Sequence, residues 1–251
     1  MIAQTETGTE KLAERLALVR RRIETSAKRC GREPEDVTLI AVSKTHPPEI
    51  LQRAIEAGVL DLGENRVQEA DAKITLVGRE RARWHLIGHL QANKARRAVA
   101  LFDVVHSLDS ASLARRLDRL CAEASRAELP VLIQVDLAGE ETKSGVGEDE
   151  LPRMVEAVVA CERLLLSGLM TLPPFFEDAE LARPYFRRLR ELRDALASRG
   201  NFGPGRGELS MGMSHDFEVA IEEGATMVRV GTAIFGARPV EISHRGTEAQ
   251  R

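Results

Sequence analysis

Val37-Thr38-Leu39-Ile40-Ala41-Val42-Ser43-Lys44 is rich in β-branched residues and carries no charge before its last position. A short apolar run of this kind lies between Gly31 and Pro34 on one side and Pro47-Pro48 on the other. That pattern predicts a strand buried on both faces, as in a parallel sheet. Lys44 then stands at the carboxyl end of the strand, where parallel α/β folds place their ligands. An ordinary lysine in a solvated loop is the bland alternative, and the rest of the chain decides between the two.

Before this stretch, Leu12, Leu16, Val19 and Ile23 recur at helical spacing, so a helix is expected from Glu10 up to Gly31, with residues 1–8 disordered. After it, apolar runs at 59–63, 84–88, 102–107, 131–136, 164–170, 208–211 and 226–230 read as further strands, with helical stretches between them. Strict alternation implies parallel βα units. Eight such units in 251 residues fit an α/β fold consisting of one closed (β/α)8 TIM barrel over 9–238 with an additional N-terminal helix, leaving 239–251 as a tail. An open doubly wound sheet is the runner-up. It usually carries a glycine-rich first turn, and the turn here, Ser43-Lys44-Thr45-His46-Pro47, has no glycine.

At 43% hydrophobic and 30% charged residues, the composition is that of a soluble globular chain. A net charge of -3 gives no electrostatic case for nucleic acid or for an anionic membrane. No apolar run approaches membrane-spanning length, and no secretory segment is read at the start. Cys30, Cys121 and Cys161 form no CxxC pair, so unpaired thiols in a cytoplasmic protein are expected. His85 and His89 straddle a strand end and do not share a face. Polar packing at the barrel mouth, rather than a metal site, is therefore expected of them. His215-Asp216 reads as a helix start, and Met170, Met211 and Met213 read as barrel packing.

Collected at the carboxyl ends of the strands are Lys44, Glu64-Asn65, His89, Ser107, Asp136, Met170, Ser210 and Arg229 with Gly231-Thr232. The last two strand ends of such a barrel commonly bind phosphate. Here they supply small and hydroxylated residues that let backbone N–H groups approach an anion. A lysine across the mouth from a phosphate grip is the layout for an internal Schiff base to pyridoxal phosphate. A cofactor-free Schiff-base aldolase that grips a substrate phosphate has the same layout.

Leu39-Ile40-Ala41-Val42-Ser43-Lys44-Thr45, Gly63-Glu64-Asn65-Arg66-Val67-Gln68-Glu69, Trp84-His85-Leu86-Ile87-Gly88-His89, Leu209-Ser210-Met211-Gly212-Met213-Ser214 and Val228-Arg229-Val230-Gly231-Thr232 follow one another in this order. In these stretches the chain resembles the pyridoxal phosphate homeostasis proteins. The resemblance implies a barrel like the N-terminal domain of alanine racemase. It implies that Lys44 is the lysine bound to pyridoxal 5'-phosphate and that Asn65 lies close to the cofactor. It also implies that Ser210, Gly231 and Thr232 contact the phosphate and that Arg229 partners the pyridine nitrogen. The chain departs from some members at His46, where they carry a second lysine.

An arginine beside the pyridine nitrogen weakens the ring as an electron sink. A racemase also needs a second base. The one tyrosine, Tyr185, is expected in a helix outside the barrel, and the sixteen residues after Phe235 are too few for another domain. The expected function is therefore vitamin B6 homeostasis: holding pyridoxal phosphate as a Schiff base and supplying it to apo enzymes, without catalytic residues, metal or nucleic acid. The expected state is a monomer. A small pyridoxal phosphate-dependent amino-acid racemase is the alternative. Lys143-Ser144-Gly145 reads as a loop after the fifth strand, on the surface or on the cofactor side.

Overall fold

The computed structural model describes residues 2–139, 144–202 and 205–236. Its eight strands are β1 Thr38–Val42, β2 Asp61–Glu64, β3 Arg83–Leu86, β4 Val104–Leu108, β5 Leu129–Gln134, β6 Leu164–Met170, β7 Glu208–Met213 and β8 Met227–Val230. All pair in parallel and in chain order, and β8 returns to β1 with Leu39 opposite Val228. Closure leaves no sheet edge to protect. The helices are α1 Ile2–Arg29, α2 Pro48–Glu56, α3 Val67–Val77, α4 Ala95–Leu101, α5 Ala111–Glu123, α6 Leu151–Val159, α7 Arg183–Ala197, α8 Phe217–Glu222 and α9 Thr232–Phe235. This is the TIM barrel with an added N-terminal helix that the alternation predicts.

Alternation along each strand divides the apolar residues into two layers. Ile40, Val104, Leu132, Met170 and Met227 fill the barrel interior. Ala41, Leu62, Trp84, Val105 and Leu209 face the helices and join the larger core. Met170 packs inside as expected, whereas Met211 lies in the outer layer. Leu12, Leu16, Val19 and Ile23 form the buried stripe of α1, each at 5% exposure or less. Burial on that scale contributes about 1.5–3 kcal/mol per side chain. Arg22 fixes α1 to α8 through a two-pronged pair with Glu218 at 3.1 and 3.0 Å, its guanidinium lying over the Phe217 ring.

Three details depart from the sequence reading. The first helix begins at Ile2 rather than near Glu10, because no proline interrupts the segment and helix propagates readily from an established stripe. β1 ends at Val42, so Lys44 lies in the following turn and not in the strand. Finally, β7 bulges against β8: Ser210 is level with Met227 but Met213 is level with Arg229. Gly212 at φ +91° absorbs the extra residue, a conformation that favours glycine. Among the described residues no helix is long and apolar enough to cross a membrane. The tail at 239–251 and Lys143 lie outside the described residues.

Candidate functional site

Lys44 is half-buried in the turn after β1, and the peptide groups on both sides of it are clamped. Ser43 is fully buried. Its hydroxyl donates to Glu64 Oε1 at 2.6 Å, and its carbonyl accepts from Lys73 Nζ at 2.7 Å. The Thr45 amide donates to Glu69 Oε1. Thr45 adopts φ +67°, which is costly for a β-branched residue unless its surroundings enforce it. Lys73 ties the clamp together from α3, reaching Glu64 at 2.8 Å and Glu69 at 2.6 Å.

Burial raises the Glu64 carboxyl above its ordinary value, although Lys73 and Ser43 pull the other way. Glu69 feels the same burial. Hydrogen bonds from Lys73 and the Thr45 amide outweigh it and hold that carboxyl low. Glu64 Oε2 is buried with no hydrogen-bond partner among the described residues. Sequence reasoning missed Lys73 and Glu69. The available signal was a lysine at helical spacing within the buried set Val67, Ala70, Ile74 and Val77, with a glutamate four residues before it.

Beside this turn, and not across the mouth from it as the sequence suggests, because β8 pairs with β1, the bulge in β7 carries the chain to Ser214, just past the strand end. Ser214 Oγ accepts from Gly231 N at 3.2 Å and from Ala233 N at 3.4 Å. A Cβ placed on Gly231 would lie 3.2 Å from the Val42 carbonyl oxygen, so the start of α9 rests against the end of β1. The His46 ring, 4.9 Å from that of Phe235, joins the Lys44 turn to α9. Ser210 is expected among the phosphate contacts mainly through its backbone, and its hydroxyl is engaged elsewhere. Ser210 is fully buried inside the strand, and its Oγ accepts from Arg229 Nη1 at 2.6 Å and contacts His106 Nδ1 at 2.9 Å. The hydroxyl beside Gly231 belongs to Ser214.

Arg229 is 3% exposed, and its Nη2 donates to the Thr171 carbonyl at 2.9 Å. Burial lowers its guanidinium to about 10, which still leaves it charged at neutral pH. Asn65 is half-buried, and its Oδ1 has no partner among the described residues. Gly88 presses on it: a Cβ there would come 2.3 Å from the Asn65 carbonyl oxygen, so only glycine fits. Thr232 opens α9 after Gly231. The structure thus gathers Lys44, Gly231, Thr232 and Arg229 at the ends of the neighbouring strands β1 and β8, with Asn65 at the end of β2.

His85 is not at the barrel mouth. It is fully buried in the barrel and contacts Asp61 and His106, because it lies inside β3 on the inward face. His89 is exposed and pairs with Asp109 at 2.9 Å. Asp216 immediately precedes α8, the helix-start position expected of it, but its side chain accepts from the Met213 amide before the helix instead of capping it. Tyr185 lies on α7 with its ring 5.9 Å from that of Phe176, outside the barrel. The three cysteines are unpaired.

The model of the alanine racemase N-terminal domain matches residues 15–239. A pyridoxal phosphate homeostasis protein of Aquifex aeolicus is 44% identical over 225 residues, covering 90% of this chain and 97% of that one. A solved structure of PipY from Synechococcus elongatus with PLP bound shares 39% identity at a TM-score of 0.77, covering 90% of this chain and 100% of that one. An alanine racemase from Corynebacterium glutamicum shares the barrel at a TM-score of 0.65 and 19% identity, with 93% of this chain lying over 62% of that one.

Proposed function

Since the chain belongs to the pyridoxal phosphate homeostasis proteins, within the alanine racemase N-terminal domain family, we propose that it holds pyridoxal 5'-phosphate on Lys44 and serves intracellular vitamin B6 homeostasis. The observation that carries this reading is the meeting of two groups at one end of the barrel. One is a lysine on a clamped turn. The other is a small-residue cradle formed by Ser214, Gly231 and Ala233.

The residues present fit the cofactor. The Ser214 and Thr232 hydroxyls would suit a phosphate, as would the Gly231 and Ala233 amides if it took the place of Ser214 Oγ as their acceptor. The unpartnered Asn65 Oδ1 suits a ring hydroxyl. When bound, pyridoxal phosphate supplies an aldehyde that condenses with an amine and a pyridine ring that withdraws electrons. Lys44 supplies that amine and must shed a proton to react. Ser43, Glu64, Glu69 and Lys73 hold the turn, so Lys44 needs little reordering on binding. Arg229, a guanidinium that can only donate, would partner the pyridine nitrogen and would keep it unprotonated.

That choice of partner argues against amino-acid turnover, because an unprotonated ring stabilises a carbanion poorly. Tyr185, packed on the outside of the barrel, is not placed as a second base. Buffering a reactive aldehyde and supplying it to apo enzymes of the cytoplasm is the role these features favour. The test is α-proton exchange on a panel of amino acids, run beside reactivation of apo enzymes. Exchange should stay at the rate of free cofactor while reactivation proceeds. Exchange at about one turnover per second or more on any amino acid would establish the racemase alternative instead.

A further inference from the structure

Five polar side chains on five strands meet inside the barrel, beside the apolar cluster of Ile40, Val104, Leu132, Met170 and Met227. Asp61 Oδ1 lies 2.8 Å from His85 Nε2, and His85 Nδ1 lies 2.8 Å from His106 Nε2. His106 Nδ1 is 2.9 Å from Ser210 Oγ, which in turn accepts from Arg229 Nη1 at 2.6 Å. Asp61 and Arg229 both stand level with Ile40, on the strands to either side of β1. The chain of contacts therefore runs the long way round the interior from one to the other.

Its two ends decide where every proton sits. A guanidinium only donates and a carboxylate only accepts. Counted back from Asp61 with both rings neutral, His106 Nδ1 is an acceptor, so Ser210 Oγ, which accepts a hydrogen bond from Arg229, turns its own hydrogen to that nitrogen. His106 then carries its hydrogen on Nε2 and donates to His85 Nδ1. His85 carries its hydrogen on Nε2 and donates to Asp61. With both rings neutral, this is the one arrangement that satisfies all four contacts. Burial holds both imidazoles below their ordinary value, His106 strongly, with Arg83 and Arg229 adding to the effect on that ring. Asp61 opposes the shift at His85.

We propose that Asp61, His85, His106 and Ser210 are positioning residues for Arg229, a one-way donor chain that keeps the Ser210 lone pair turned to the guanidinium and fixes its plane. The fixed guanidinium is then ready to meet a heteroaromatic nitrogen, a role that rests on the function proposed above. Among the described residues no carboxylate pairs directly with Arg229, although Asp216 is felt at a distance.

The test is nitrogen-15 spectroscopy of the protein without cofactor. Both His85 and His106 should be neutral with the hydrogen on Nε2, and the Arg229 guanidinium nitrogens should give separate signals because rotation is hindered. Asp61→Asn keeps an acceptor oxygen and should preserve all of these signatures. Asp61→Leu strips the acceptor, and the change should reach Arg229, four hydrogen bonds away. Ser210→Ala removes one hydroxyl and should survive folding even if Asp61→Leu does not. It should shift the His106 Nδ1 signal and merge the Arg229 signals. It should also weaken pyridoxal phosphate binding roughly fivefold, the effect of one ordinary hydrogen bond. A wild-type ring protonated on Nδ1 or on both nitrogens would overturn the proposal. So would Arg229 signals unchanged by Ser210→Ala, or a response to Asp61→Leu confined to His85. These spectra need no cofactor, so their outcome is separate from whether pyridoxal phosphate binds.

Discussion

Replacing Lys73 by methionine should unfold the turn that presents Lys44. The substitution keeps most of the side-chain volume but removes an ammonium that donates to Ser43 O at 2.7 Å, Glu64 Oε1 at 2.8 Å and Glu69 Oε1 at 2.6 Å. The Lys73 and Glu64 side chains are 6% and 0% exposed, so water screens the loss poorly. Removing one partner of a buried pair costs about 3–5 kcal/mol, because the other charge is left without compensation. The orphaned Ser43 carbonyl is worth about 1–3 kcal/mol on its own, but it shares the same ammonium and does not add in full. The expected loss is therefore about 3–5 kcal/mol at pH 7, read by urea unfolding of the cofactor-free protein.

The pH dependence follows from Glu64. Its carboxyl is already raised above 4.5 by burial, and Lys73 is the strongest opposing influence. Without Lys73 it rises further, so the folded variant binds a proton that the unfolded chain lacks. Stability of the variant is then lost as pH climbs from 4.5 through the raised folded value, and is regained on acidification. Adding Glu64→Gln removes the uncompensated charge and should restore part of the loss. A Lys73→Met variant within about 1 kcal/mol of wild type would refute the clamp, because no buried pair would then be at stake. A double variant no more stable than Lys73→Met would refute it as well.

Ser214→Ala should weaken binding of pyridoxal phosphate by about 1.5–3 kcal/mol, the worth of a hydrogen bond to a charged group, and leave binding of pyridoxal almost unchanged. Titration with both ligands checks this, and equal losses would place Ser214 away from the phosphate. Gly231→Val should do more damage, since a Cβ already comes within 3.2 Å of the Val42 carbonyl oxygen. His85 and His106 are both lowered by burial, so below about pH 6.5 the unfolded chain binds protons that the folded chain does not. Stability should fall as pH drops from that value toward the folded ones. His106→Gln should flatten the slope by up to one proton, about 1.4 kcal/mol per pH unit. An unchanged slope in acid urea titrations would mean that His106 does not stay neutral in the fold.

Much of the fold was legible because parallel strands buried on both faces are continuous apolar runs. The sixth run, 164–170, is β6 residue for residue. Boundaries were less legible where backbone pairing, not side-chain type, ends the strand: the Ser43 amide still donates to the Gly63 carbonyl of β2 at 3.0 Å, but the chain turns at Lys44. The different surroundings of the Ser210 and Ser214 hydroxyls were hidden for a similar reason. They depend on a bulge defined by β8, and nothing within Ser210-Met211-Gly212-Met213-Ser214 fixes them except the glycine. The interior chain was least legible. Its contacts span 24, 21, 104 and 19 residues, so no local spacing links them. The only hint was the presence of polar residues within otherwise apolar strands, at Asp61, His85 and His106.

One measurement tests the role of Lys44 most directly. The protein is loaded with pyridoxal 5'-phosphate, reduced with borohydride, digested and analysed by mass spectrometry, so that any pyridoxyl group is fixed to the lysine that carried it. The expected result is a single modified peptide containing Lys44, absent from Lys44→Ala, which should remain folded. A pyridoxyl group on Lys73, Lys94 or Lys143, or an adduct that survives in Lys44→Ala, would contradict the account.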